Sequence, residues 1–156
     1  MKFDISNNKI SMEGGKAIAE ALKGNSIITD LNIASNDLGI RADRSVYDMS
    51  GVIAIGDAIL TMGAMVKVDI SQNQLYAEGG NVIAHALKGN QTMTEVNISS
   101  NDLTRNSSER KTDMVGVIAI SDAIPTMGAL TSLHISNNKI EAEGANYIAA
   151  AVPECK

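Results

Sequence analysis

Val68-Asp69-Ile70-Ser71-Gln72-Asn73-Gln74-Leu75 is the stretch that decides the fold. Val68 and Ile70 alternate with Asp69 and Ser71, and such alternation describes a strand with one dry face and one wet face. The alternation then stops. Past Ala77-Glu78-Gly79-Gly80, apolar residues fall at Val82, Ile83, Ala86 and Leu87, the stripe of a short helix. Lys88-Gly89-Asn90 adds a cation and a glycine, both helix-stop signals. The segment reads as strand, bend at Asn73, helix.

Working outward, the same pattern recurs. Shifting the chain by 65 residues superposes it on itself without a gap: Asp4-Ile5-Ser6 falls on Asp69-Ile70-Ser71, and Gly51-Val52-Ile53-Ala54-Ile55 on Gly116-Val117-Ile118-Ala119-Ile120. Each block holds two related units, with cores FDISNNKI, LNIASNDL, VDISQNQL, VNISSNDL and LHISNNKI. The anchors Ile5, Ile33, Ile70, Ile98 and Ile135 are spaced 28, 37, 28 and 37 residues apart, so a short unit alternates with one nine residues longer. The units cover about 1–27, 28–64, 65–92, 93–129 and 130–156, and the expectation is one domain over 1–156.

The pattern L-x-x-L-x-L-x-x-N-x-L runs through Ile28, Leu31, Ile33, Asn36 and Leu38, and again through Met65, Val68, Ile70, Asn73 and Leu75. It returns at Met93, Val96, Ile98, Asn101 and Leu103, and at Leu130, Leu133, Ile135, Asn138 and Ile140. In this the chain resembles the leucine-rich-repeat family, and the 28-residue spacing resembles its ribonuclease-inhibitor type. The resemblance implies an α/β leucine-rich-repeat solenoid of five strand-helix units. Its parallel sheet would line the concave face of a horseshoe arc and its helices the convex face.

Elementary packing leads to the same shape. One unit cannot bury its own apolar face, so units must stack and share a core. Strands sit about 4.8 Å apart and helices roughly 10 Å, so the stack must curve toward the strands. Asn8, Asn36, Asn73, Asn101 and Asn138 follow the strands, where the backbone turns away from its ladder partners. An amide both donates and accepts, so a column of them can bridge neighbouring turns as a structural ladder. Small residues in the helices let layers approach closely. Pro125 stands where the other long unit has Leu60 and should stop its helix near Ile124. The pairs Gly14-Gly15 and Gly79-Gly80 lack a P-loop context and are read as tight turns ahead of helices.

Bulk properties exclude several functions. A net charge of -5 lacks the basic excess that nucleic-acid binding and anionic membranes favour. No apolar run reaches spanning length, and the start MKFDISNNKI has no apolar leader core, so a cytoplasmic location is expected. Cys155 is the single cysteine. The histidines are His85 and His134, and the only pairing suggested for either is His134 with Asp69. No nucleophile, metal-ligand spacing or cofactor motif accompanies them, so the expectations are no enzyme activity, no metal and no cofactor.

Three surfaces remain for binding. The first is the concave face, with Asp4, Asn32, Asp69, Asn97 and His134 in one column and Lys67 and Glu95 in the next. The second is the pair of inserts that add nine residues to the long units, at about Gly39–Asp48 and Thr104–Asp113, whose sequences diverge while their frame repeats. They carry Arg41, Arg44, Tyr47, Arg105, Arg110 and Lys111, and their charges of 0 and +1 leave -6 for the rest. They read as loops free of packing duty, projecting from one side toward an acidic partner. The third is the uncapped ends, which would allow a homodimer. The leading expectation is a protein-protein interaction module with a protein partner. The alternatives are a regulator or inhibitor of an enzyme or GTPase, and a self-associating structural repeat.

Overall fold

A computed structural model describes residues 1–43, 46–109 and 111–152, and Arg44, Arg110 and Cys155 lie outside the described residues. The strands are β1 (Lys2–Asp4), β2 (Asp30–Asn32), β3 (Lys67–Asp69), β4 (Glu95–Asn97) and β5 (Ser132–His134). Each is followed by a helix: α1 (Ser11–Leu22), α2 (Ser50–Thr61), α3 (Tyr76–Leu87), α4 (Val115–Ala123) and α5 (Glu141–Ala151). The strands form one open parallel sheet in chain order. Its register aligns Phe3, Leu31, Val68, Val96 and Leu133. Pairing continues through the anchors, as Ile5, Ile33, Ile70 and Ile98 each donate a backbone N–H to the next strand at 2.9–3.0 Å.

The core lies between sheet and helices. Leu31, Ile33, Val68, Ile70, Val96 and Ile98 enter it from the sheet, and Val52, Ile55, Ile83, Leu87, Val117 and Ile120 from the helices. Met62, Met65 and Met93 fill the gaps between layers. With so few rings in the chain, closeness of approach replaces bulk. A Cβ on Gly51 would stand 2.7 Å from Met12 Cα, and one on Gly116 would stand 2.7 Å from the Ala77 carbonyl oxygen. Gly15 faces Gly51 and Gly80 faces Gly116 across the same contacts. The glycine pairs therefore do not form turns ahead of the helices. They sit inside α1 and α3, where a Cβ on Gly15 or Gly80 would press on Leu38 or Leu103 and on the facing glycine. At Pro125, α4 ends at Ala123 and the chain tightens into a 3₁₀ turn over Ile124–Thr126.

The asparagines run through the stack as a continuous ladder. The Asn8 N–H donates to Asn36 Oδ1 at 2.8 Å, Asn36 to Asn73 at 2.9 Å, Asn73 to Asn101 at 2.8 Å and Asn101 to Asn138 at 2.7 Å. Each interior Nδ2 also returns to carbonyls of its own unit and the one before: that of Asn73 donates to Ile33 O at 3.0 Å and to Ile70 O and Ser71 O at 3.1 Å. The flanking residues adopt left-handed backbone, as at Gln72 and Gln74 beside Asn73 or Ser100 and Asp102 beside Asn101. All ten such neighbours are Asn, Asp, Ser, Gln or Lys, with no β-branched residue among them.

Replacing Asn73 with Ala should lower stability by about 3–5 kcal/mol, because it leaves buried N–H and C=O groups unpaired. Asn8→Ala, at the exposed end of the ladder, should cost about 1 kcal/mol or less. Urea unfolding of the two variants measures both, and equal losses would contradict the ladder. Gly116→Ala should cost about 1–3 kcal/mol, since the methyl meets backbone rather than a movable side chain. The same unfolding experiment reads it.

Candidate functional site

On the open face of the sheet, the column Asp4, Asn32, Asp69, Asn97 serves the fold itself. Asp4 Oδ1 accepts from the Ser6 N–H at 3.1 Å and Asp69 Oδ1 from the Ser71 N–H at 3.0 Å. The Oδ1 atoms of Asn32 and Asn97 do the same for Ala34 and Ser99. Across the strands, Asn32 Nδ2 donates to Asp4 at 3.1 Å and Asn97 Nδ2 to Asp69 at 2.8 Å. These side chains close the strand ends as Asx turns. The Ser6 backbone and side-chain hydrogen bonds hold the Asp4 carboxyl below its ordinary value.

The adjoining column is charged and half open. Lys67 Nζ meets Glu95 Oε2 at 2.8 Å, and this contact lowers the Glu95 pKa and raises that of Lys67. His134 is not brought to Asp69. Asn97 stands between them in the register, and the His134 Nε2 lies 3.1 Å from Ser132 Oγ instead. His85 is exposed on α3. Among the described residues no group of three or more His, Cys, Asp or Glu could hold a metal ion, and no helix is long and apolar enough to cross a membrane.

The inserts differ from the loops expected of them. Each closes on itself through an antiparallel bridge, Ile40 with Tyr47 and Arg105 with Thr112. Each also caps the helix before it. The Ile40 carbonyl accepts the Met12 N–H at 3.0 Å, and the Arg105 carbonyl accepts the Ala77 N–H at 3.0 Å. In return, Glu13 Oε2 accepts the Ala42 N–H at 3.2 Å, and Glu78 Oε1 accepts the N–H and Oγ–H of Ser107, both at 3.1 Å. No capping side chain serves these helix starts, so the insert backbone replaces one. The hydrogen bond from Ser11 Oγ, then the backbone N–H groups of Glu13 and Ala42 and the nearby Arg41 charge, lower the Glu13 pKa.

The positive side chains sit on this framework. Arg41 lies 3.8 Å from Asp43, and Lys111 lies 3.2 Å from Glu109, both pairs in solvent. Lys139 of the last unit joins the second insert's rim and contacts Asp102 at 2.7 Å. Together Arg105, Lys111 and Lys139 line one shallow depression. Tyr47 is not an exposed anchor: its ring packs edge-on against Tyr76, centroids 4.7 Å apart at 68°. Burial, then the Tyr47 hydrogen bond, push the Tyr76 phenol well above its ordinary pKa. Glu13, Glu78 and Tyr76 thus matter to the inserts, and the recurrence of Glu five residues past the ladder asparagine was the sequence signal for the first two.

A family profile described as Leucine Rich repeat matches residues 1–19, 89–106 and 130–149. Those segments carry the strand-to-asparagine pattern in the first, fourth and fifth units. These three segments match the leucine-rich repeat, and the stacked strand-helix units share its architecture. It is 25% identical over 179 aligned positions to mouse NACHT, LRR and PYD domains-containing protein 4E, covering 99% of this chain and 17% of that protein. It is 27% identical over 123 positions to Protein CARMIL of Dictyostelium discoideum, covering 78% of this chain and 11% of that protein. The chain therefore spans under a fifth of the length of these relatives. Two solved structures share the fold at 16% identity. Leiomodin-1 actin-binding site 2 superposes with a TM-score of 0.68 over 98% of this chain and 79% of its own. The tropomodulin C-terminal domain of Caenorhabditis elegans does so at 0.65, over 98% and 82%.

The clamp on the first insert should be pH-dependent. The folded pKa of Glu13 lies below its ordinary value of 4.5, so the clamp is complete above that pH and is lost as pH falls through the folded value. Amide exchange of residues 40–43 and 46–48 should accelerate over that window. Glu13→Gln should exchange fast throughout, and an unchanged profile in that variant would remove Glu13 as the clamp.

Proposed function

We propose that the chain is a non-enzymatic protein-interaction module whose contact surface is the edge formed by the two inserts. The observation that carries this reading is their construction. Each insert is bridged, hydrogen-bonded to a glutamate of the preceding helix and joined to that helix's first turn. Loops held in one conformation bind with less ordering cost than free ones. The sheet face is the weaker candidate, because most polar atoms of its central column already serve strand ends. The unbroken core from Ala19 to Met127 supports treating 1–156 as one domain. The 28-residue short unit supports the ribonuclease-inhibitor-like subtype.

Arg41, Arg105, Lys111 and Lys139, with Arg44 and Arg110 in the same inserts, suit an acidic protein surface. The leiomodin-1 neighbour is an actin-binding site, so actin is the first partner to test. The wild-type chain should pellet with filamentous actin. Combined Arg41→Glu, Arg105→Glu and Lys111→Glu should weaken that binding at least ~10-fold, about 1.4 kcal/mol, while Lys67→Ala with Glu95→Ala leaves it unchanged. A wild-type chain that stays in the supernatant removes actin as the partner. A triple variant that pellets like wild type removes the insert edge as the contact surface.

A further inference from the structure

The two ends of the stack carry complementary halves of its own internal interface. Inside the stack, the face of a short helix that looks toward the next unit reads Met12, Gly15, Ala19 in α1 and Ala77, Gly80, Ala84 in α3, all buried. The long helix that covers it presents Gly51, Ala54, Ala58 or Gly116, Ala119, Ala123. In register with the first set, α5 places Ala142, Ala145 and Ala149 in solvent. In register with the second set, once the insert is discounted, α1 offers Gly14, Ala17 and Ala21, with Ala17 and Ala21 exposed. The other short helices differ at these positions, carrying Val82 and Tyr147 where α1 has Ala17. The free face of α1 is thus of the kind that packs on a short helix, and the free face of α5 is a short helix's.

The backbone makes the same match independently. In units one to four, the N–H groups at the positions of Ile135, Asn137 and Asn138 all donate to the following unit. In the last unit these three have no partner among the described residues. Their acceptors in the inner units correspond to Asp4 O, Ser6 O and Asn8 Oδ1 of the first unit. One sheet edge therefore leaves these three donors unpaired, and the other leaves the acceptors they would meet with no strand beyond them.

We propose that a second copy of this chain is the occupant, with β5 and α5 of one copy stacking head-to-tail on β1 and α1 of the next. The asparagine ladder then continues from Asn138 of one copy to Asn8 of the other. The junction differs from an inner one in two respects. Ala145 stands where Gly15 and Gly80 stand, which separates the helices by a methyl group. The first unit has no insert, so Glu143, in register with Glu13 and Glu78, stays in water. Association is consequently weaker than the internal contacts, and it is heterologous, so each added copy leaves one fresh end.

Sedimentation velocity on the purified chain, from low to high micromolar concentration, tests this. The weight-average sedimentation coefficient of the wild type should climb past the dimer value. Ala17→Arg and Ala145→Arg, both at exposed helix positions, should each remain monomeric alone, with circular dichroism showing them folded. Mixed in equal amounts, they should form a dimer and nothing larger, because each contributes one intact end. A wild type monomeric at every concentration overturns the proposal. So does a single variant that still dimerises, since only like ends pairing with like would allow it.

Discussion

One hydrogen bond, repeated, sets the geometry of this protein: the backbone N–H of each ladder asparagine donating to the amide oxygen of the next. A strand of three residues has too few ladder bonds to fix its neighbour's position alone. The buried amide fixes it at the point where the strand ends and the chain bends. It also removes the penalty of burying a bend, since its Nδ2 takes up carbonyls that have left the sheet. Core packing and the location of both inserts follow from that shared register.

The helix layer answers to a different constraint, the distance between backbones. Glycine opposite glycine at Gly15 with Gly51 and Gly80 with Gly116 brings adjacent helices close enough to stay in step with the strands. Where the pattern relaxes, the layer changes. Ser121 replaces Gly56, and its hydroxyl turns inward to the Val117 carbonyl at 2.9 Å. Pro125 replaces Leu60 and ends the α-helix early. The cleft left beside α5 is lined by Ser121, Pro125 and Tyr147.

The strands, the ladder and the order of units were legible because the signals are periodic: alternation at Val68 to Ser71, a fixed asparagine, a 65-residue self-match. What sequence reading lost lay in single contacts with no period. Gly79-Gly80 looks like a turn in one dimension, and only the neighbouring helix shows why side chains are excluded there. Divergence between GIRADRSVYD and TRNSSERKTD suggested free loops, yet the contacts that hold them use backbone groups at Ile40, Ala42, Arg105 and Ser107, which any sequence supplies. Tyr47 looked like a binding anchor until its ring was placed against Tyr76. The column Asp4 to Asn97 pointed outward as expected, but the local turns it closes depend on χ angles that periodicity does not reveal.

Among the described residues, each insert is held to the stack near its base. In the first insert the anchoring atoms belong to Ile40, Ala42 and Tyr47, and in the second to Arg105, Ser107 and Thr112. None of those anchoring contacts belongs to the ladder or to the glycine contacts. The architecture therefore separates the contacts that set its shape from those that seat the inserts.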